Sequence, residues 1–288
     1  MTNIDLVWRV EQALGVRLEA VTSLPVGFGL AGIAGTLRDG RKVAVKAGNG
    51  RNHPDLTLEA FMLEALRRQS ELPVPAVYFA APDLLVMAFL ENDGSAITPK
   101  AEHHAAELIA ALHATPRPSF GYERDTRIGP LPQPNSPSES WIPFFRDQRL
   151  LAMAEAACRE GRLPGAYLSR IEALASRLEE HLLEPRFPSL LHGDLWTGNV
   201  LVRNDRIAGF VDPAIYYGHP EIELAFSTMF GTFGAAFFDA YEALTPLEPC
   251  FHEKRCGIYN LYPRLVHVRL FGSAYLAGID GTLRELGF

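Results

Sequence analysis

The segment Leu190–Ala214, LLHGDLWTGNVLVRNDRIAGFVDPA, constrains the fold more than any other part of the chain. It breaks a mostly helical pattern with two short apolar runs, Val200-Leu201-Val202 and Ile207–Val211, about Arg203-Asn204-Asp205, and so reads as a β-hairpin. Antiparallel pairing returns the end of the second strand beside the start of the first. Asn199 and Asp212, although 13 residues apart, are therefore expected side by side. A carboxylate and an amide oxygen at neighbouring strand ends make a hard-oxygen pair suited to Mg2+. Asp194, just upstream, is placed to orient a hydroxyl. A carboxylate that orients an attacking hydroxyl, next to an Asn/Asp pair holding metal on nucleotide phosphates, is the wiring of phosphoryl transfer.

The N-terminal part supplies a complementary half. From Leu18 to about Leu90 the chain reads as short strands around one helix. Arg38-Asp39-Gly40-Arg41 is a tight-turn signal joining Gly32–Leu37 to Lys42–Ala47. Residues 55–70 read as a helix, followed by strand candidates Ala76–Phe79 and Leu84–Phe89. In Val43-Ala44-Val45-Lys46, the two-residue period puts Ala44 and Lys46 on one face and the valines on the other. A small residue and a cation on one face suit an adenine and its phosphates. Such a lysine needs a carboxylate from a helix, and Glu59 and Glu64 are the candidates. At 100° per residue Glu59 falls within the apolar arc of its helix, whereas Glu64 lies beside Arg67 and Arg68. A glutamate on an apolar face needs a partner, so Glu59 is assigned to Lys46 and Glu64 to solvent. Gly27-Phe28-Gly29-Leu30-Ala31-Gly32 offers backbone amides from Gly27 and Gly29 to phosphates.

Glu91-Asn92-Asp93-Gly94 punctuates the chain, which divides it into an N-lobe, 1–90, and a C-lobe, 91–288, that is mainly helical. Leu168, Ile171, Ala175, Leu178 and Leu182 predict one amphipathic helix. Thr115 to Ser140, rich in Pro, Gly and Ser, reads as a long loop. Leu6, Val7, Val10 and Leu14 predict an N-terminal surface helix with one buried face. Phe226, Phe230, Phe233 and Phe237 recur at helical spacing and are expected in the core. The adjacent His103 and His104 are expected in solvent. Glu221 and Glu223 either brace the loop around Asp194 or cap a helix.

Composition narrows the function classes. Lys and Arg number 27 against 34 Asp and Glu, a net charge of −7, which argues against a duplex nucleic-acid partner. Three cysteines without a CxxC pair point away from a disulfide scaffold or structural zinc and towards a reducing, cytoplasmic setting. The N-terminus lacks a signal-peptide layout, and the longest apolar stretch, Leu224 to Phe238, is too short to span a bilayer, so no membrane partner is expected.

These motifs resemble the fructosamine kinase (ketosamine-3-kinase) family, within the aminoglycoside-phosphotransferase-like, protein-kinase-like fold. HGDLWTGN at 192–199, Asp212-Pro213-Ala214 followed by Tyr217-Gly218-His219, and Glu223-Leu224-Ala225 carry the resemblance. So do Met229-Phe230-Gly231, Pro132-Gln133-Pro134-Asn135, Trp141 and Leu270-Phe271-Gly272. The resemblance implies an α+β, bilobal fold with a small antiparallel-sheet N-lobe carrying one key helix. It implies transfer of a phosphoryl group from ATP, with Mg2+, to the sugar O3 of ketosamines: small molecules, glycated amino acids or glycated protein lysines. The adduct so marked becomes labile, a deglycation activity. Carried over, Asp194 is the catalytic base, Asn199 and Asp212 are metal ligands, and Lys46 with Glu59 orients phosphates. Met87 and Phe89 flank the adenine on a hinge strand where Ala88 replaces the family's usual acid. Trp196, His219, Gln133, Asn135 and Trp141 are sugar-site candidates, although Trp196 serves equally as a core residue and His219 reads better as a satisfied core histidine. Kinases of an aminoglycoside, choline or homoserine, and a non-catalytic nucleotide-binding regulator, are the alternatives. Monomer and homodimer both stay open.

Overall fold

Both turn signals close tight hairpins in the computed structural model, which describes residues 3–50 and 53–288. The elements run α1 (Asn3–Leu14), β1 (Leu18–Ser23), β2 (Leu30–Leu37), β3 (Lys42–Gly48), α2 (Leu56–Gln69), β4 (Val77–Ala81), β5 (Leu84–Ala88) and α3 (Pro99–His113). They continue with β6 (Thr126–Ile128), β7 (Leu131–Gln133), α4 (Trp141–Phe145), a π-helical turn (Arg146–Leu151), α5 (Ala152–Arg159) and α6 (Gly165–Ala175). After β8 (Ser189–Leu191) come β9 (Val200–Arg203), β10 (Arg206–Phe210), β11 (Tyr216–Gly218), α7 (Pro220–Met229), α8 (Ala235–Leu244), α9 (Cys256–Tyr259), α10 (Leu261–Phe271) and α11 (Leu276–Glu285).

By contacts the chain forms two units, Met1–Ala105 with Gly198–Pro213, and Ala106–Thr197 with Ala214–Phe288. The first unit thus runs past Leu90 and takes back a hairpin from far along the chain. The reason lies in hydrogen bonds. The Phe210 N–H donates to the Pro73 carbonyl at 2.8 Å, the Asn204 N–H to Asp93 Oδ2 at 2.9 Å, and the Ile207 N–H to His104 Nδ1 at 3.1 Å. His104 therefore ties α3 to the hairpin instead of facing solvent.

The first unit is built on an antiparallel sheet ordered β1-β2-β3-β5-β4. Gly40, at φ +89, makes the Asp-Gly turn that joins β2 to β3. Leu6 and Val10 of α1 pack with Ile33, Val43, Val45, Ala47 and Val86 on one face of the sheet. The Val43/Val45 side of β3 is thus committed to this core, which leaves Ala44 and Lys46 to the other face. Asp55 caps α2 by accepting the Thr57 N–H. The returning hairpin turns at Asn204 and Asp205, both at positive φ (52 and 57), the conformation a two-residue turn needs.

In the second unit two expectations change. The amphipathic pattern from Leu168 to Leu182 is not one helix: α6 stops at Ala175, and Leu178–Glu180 forms a separate 3-10 turn after Arg177 at φ −129. Leu178 and Leu182 stay buried, so the apolar period records burial on one side and not helical continuity. The stretch from Thr115 to Ser140 is also not a structureless loop. It holds the β6–β7 pair and bridges Phe120 to Ser138 and Gly121 to Tyr217. Its prolines and glycines prevent a regular period, but its backbone finds partners distant in sequence. The phenylalanine run is not one helix: Phe226 lies in α7, Phe237 in α8, and Phe230 and Phe233 in the link between them, with Phe226, Phe233 and Phe237 buried and Phe230 exposed at 37%.

Candidate active site

The first unit gathers four of the expected site residues. Lys46 lies on β3 between β2 and β5, in register with Gly32 and Leu85. Its Nζ donates to Glu59 Oε1 at 2.8 Å and to a carboxylate oxygen of Asp212. Lys46 and Glu59 are 8% and 5% exposed, whereas Glu64 is solvated near Arg68. Burial alone would push the Lys46 ammonium down. The Glu59 and Asp212 carboxylates outweigh it and hold the group above its ordinary value. Asp212 follows β10 at φ +54, a left-handed conformation uncommon for a non-glycine residue and characteristic of positions held for a purpose. The Val211 N–H donates to the Asn199 carbonyl at 3.0 Å, which sets Asn199, itself buried, at the strand end next to Asp212.

Among the described residues no group of three His, Cys, Asp or Glu side chains converges as a metal centre. The oxygen donors Asn199 and Asp212 fit Mg2+, which takes one or two protein ligands and completes its shell from phosphates and water. Gly27 and Gly29 flank the turn between β1 and β2. There the Leu30 N–H donates to the Gly27 carbonyl at 3.2 Å and the Asn49 N–H to the Gly29 carbonyl at 2.8 Å. Phe28, at φ +58 and 44% exposed, forms the tip. Met87 is buried opposite Ala44. Phe89 directs its N–H to the Lys42 carbonyl and Ala88 its N–H to the Ala76 carbonyl, so neither amide is open to a base.

In the second unit the backbone around Asp194 is pinned on both sides. Gly193, at φ +84, sits so close to the Ala214 carbonyl that a Cβ would collide with it. The Ala214 N–H donates to the His192 carbonyl at 2.7 Å, and the Trp196 N–H to the Asp194 carbonyl at 3.1 Å. The Gly193 N–H donates to Glu223 Oε1 at 2.7 Å. The other Glu223 oxygen meets His113 Nε2 at 2.8 Å, and His113 Nδ1 meets the Tyr241 hydroxyl at 2.8 Å. Burial would raise the Glu223 carboxyl; the hydrogen bonds from His113 and Gly193 hold it below its ordinary value. Glu223 thus braces the loop. Glu221 instead makes a buried bidentate pair with Arg255, both bonds at 2.6 Å.

Four sugar-site candidates are deep in this unit. Gln133 donates to Thr126 Oγ1 and the Ala214 carbonyl, both at 2.9 Å, and accepts from the Tyr262 hydroxyl at 2.8 Å. Asn135 is held by Thr126, the Arg124 carbonyl and Arg149. Trp141 is fully buried, with Nε1 donating to the Tyr259 hydroxyl at 3.0 Å. His219 caps α7 by accepting the Glu221 N–H at 3.1 Å. Burial pushes its imidazole down to about 3. Trp196 alone among the five is half-buried, its ring 5.5 Å from that of Phe230. His113 was not singled out from the sequence. It lies four residues after Ile109, on the buried face of α3, and the facing argument that selected Glu59 would have flagged it.

The model of the family described as fructosamine kinase matches residues 9–286. A Synechocystis protein named "Probable ketoamine kinase" is 34% identical over 85% of this chain and 83% of its own length. A chloroplastic protein-ribulosamine 3-kinase of Arabidopsis thaliana is 34% identical over 79% of this chain and 72% of its own. A solved Thermobifida fusca structure assigned as a fructosamine-3-kinase superposes with TM-score 0.87 at 32% identity, covering 97% of both chains. An aminoglycoside phosphotransferase, APH(4)-Ia, shares the fold at TM-score 0.69 and 15% identity, over 99% of each chain. With a family match over nearly its whole length, on a kinase-like fold carrying the Lys46–Glu59 pair, this chain belongs to the fructosamine kinase family of phosphotransferases.

Proposed function

We propose that the protein transfers the γ-phosphoryl group of ATP to the O3 hydroxyl of ketosamines and so takes part in deglycation. The observation that carries the reading is the meeting of the buried Lys46–Glu59 pair with the solvent-accessible carboxylate of Asp212, three residues from separate parts of the chain. An ammonium taken out of water beside a buried carboxylate adds little net stability, which favours a functional reason for the pair, and nucleotide phosphates are the natural use for a lysine so held. In this reading Asp194 accepts the proton of the attacking hydroxyl, whose oxygen bonds to phosphorus as the bond to the ADP oxygen breaks. Lys46, oriented by Glu59, neutralises charge on the phosphates. Asn199 and Asp212 would hold Mg2+, which when bound offsets the charge that develops on the phosphoryl oxygens. The glycine turn at Gly27 and Gly29 covers phosphates, and β5 near Met87 and Phe89 receives the base. Trp196 contacts the substrate. The buried Gln133, Asn135, Trp141 and His219 support its site from behind.

The substrate class follows from the relatives, one of which is named a ribulosamine 3-kinase. A polycationic acceptor such as an aminoglycoside would want clustered carboxylates near the C-terminus. Of the two acids there, Asp280 is already paired with Arg170 at 2.7 Å. Unpaired thiols at Cys158, Cys250 and Cys256 support operation in the reducing cytoplasm. The test is an ATP-dependent assay of a ketosamine panel, with an aminoglycoside, choline and homoserine beside it, reading phosphorylated product by mass. Transfer to a ketosamine is expected, and Asp194→Ala is expected to lower it by about 10²–10⁴-fold while the fold persists by circular dichroism. Wild-type turnover in that variant would refute the assigned base. Activity confined to another alcohol would refute the substrate class.

A further inference from the structure

A Phe-Gly pair stands at the C-terminal end of two helices of the second unit, Phe230-Gly231 just after α7 and Phe271-Gly272 at the end of α10. Both glycines take positive φ, 60 and 91, which ends each helix. Both phenylalanines are left facing outward, 37% and 57% exposed. His267 of α10 lies between them, its ring 5.1 Å from Phe230, 5.4 Å from Phe271 and 4.8 Å from Tyr275. Phe230 in turn meets Trp196 at 5.5 Å. An unbroken aromatic strip therefore starts two residues from Asp194 and runs to the exposed Phe271. Contiguous exposed apolar surface of this kind marks a binding site and not a core.

The strip carries no formal charge. His267 Nδ1 lies 2.7 Å from the Pro263 carbonyl, so Nδ1 bears the proton and Nε2 is left as an acceptor in the neutral ring. Burial holds its imidazole below the ordinary value, which keeps it neutral near pH 7. Such a surface suits a cation and a hydrocarbon stem, the first by cation–π attraction and the second by burial. It offers nothing to a carboxylate.

We infer that Phe230, His267, Phe271 and Tyr275, continuing from Trp196, form the subsite for the amine half of the ketosamine. They select amines with an extended apolar stem over short, anionic ones. The inference rests on the ketosamine reading above. In a ketosamine the nitrogen lies only a few bonds from O3. Once that hydroxyl is set against Asp194, the amine substituent must leave over whatever surface adjoins the loop, and in this unit the strip adjoins it through Trp196. The secondary ammonium would lie over ring faces, with His267 Nε2 as its acceptor.

The experiment compares two ketosamines of one sugar, built on n-hexylamine and on glycine, with the full-length enzyme. The wild type is expected to favour the hexyl adduct about tenfold or more in kcat/KM, the scale of hydrophobic-pocket discrimination. Phe230→Ala and Phe271→Ala are expected to shrink that ratio by about fivefold or more, chiefly through KM for the hexyl adduct. Phe271→Leu, which keeps apolar area, should recover part of it. Phe271 is more than half exposed, so its substitution leaves the fold intact. A wild-type ratio near one, or a ratio unmoved by both alanine variants, overturns the subsite while turnover of the glycine adduct leaves the ketosamine reading standing. Turnover of neither adduct, with activity on another alcohol, overturns both.

Discussion

Lys46 shows how one residue's surroundings prescribe its chemistry. A lysine 8% exposed keeps its charge only because two carboxylates share it, and each partner comes from a different element. Glu59 was legible in the sequence, since a glutamate inside an apolar arc announces a buried partner. The contribution of Asp212 depended on a hairpin returning from 166 residues away. Removing Glu59 should leave the ammonium under-compensated. Glu59→Ala is expected to cost about 3 kcal/mol of stability, measured by denaturant unfolding, and to raise KM for ATP severalfold in steady-state kinetics. An unchanged KM would detach the pair from nucleotide binding. The same facing logic points to His113, but its partners Glu223 and Tyr241 lie 110 and 128 residues away and leave no mark near it in the chain.

Among the elements, α7 does more than fill the core. Its first turn presents Glu221 to Arg255 and Glu223 to the loop at Gly193, and His219 caps it. The Tyr241–His113–Glu223 relay joins α8, α3 and α7 to one backbone amide beside Asp194. Glu223→Ala would leave that amide and His113 without their buried acceptor. A stability loss of about 3–5 kcal/mol and a fall in kcat with little change in KM for ATP are expected. Glu223→Gln keeps an acceptor for Gly193 and should restore most of kcat. Equal kcat in both variants would show that the brace does not position the loop. Sequence spacing raised two roles for Glu221 and Glu223 without choosing, because the choice depends on which partner lies across the core.

For the molecule as a whole, a histidine buried in its neutral form contributes to the response to acid. His219 has its folded value depressed to about 3 by burial, against about 6.5 for an unfolded histidine. Its contribution to stability is complete above that unfolded value and is lost as pH falls, because the unfolded chain binds a proton that the folded chain refuses. Unfolding free energy should therefore decline from about pH 6.5 downward. His219→Asn, which can still cap α7 but does not titrate, should flatten that decline when denaturant midpoints are compared from pH 7 to 4. Parallel slopes in the two proteins would refute the assignment. The net charge of −7 gives no hint of this, nor of the buried cation at Lys46, since a sum over the chain is blind to location.

Local order and the placement of the residues proposed to react were determined by the sequence alone. Asp39-Gly40 and Asn204-Asp205 tolerate positive φ, so the hairpins close where they do. The two-residue and helical periods decide which faces carry Lys46 and Glu59. Hairpin geometry alone brings Asn199 beside Asp212. Only the tertiary structure decided which polar and aromatic residues are consumed by the core. Gln133, Asn135, Trp141 and His219 find their partners there, while Phe230, spaced like a core residue, remains outside it, as does Phe271. The physical reason is range. Backbone turns and side-chain facing are settled by neighbours a few residues away, whereas burial and hydrogen-bond satisfaction depend on partners separated by tens to hundreds of residues. No local pattern encodes those.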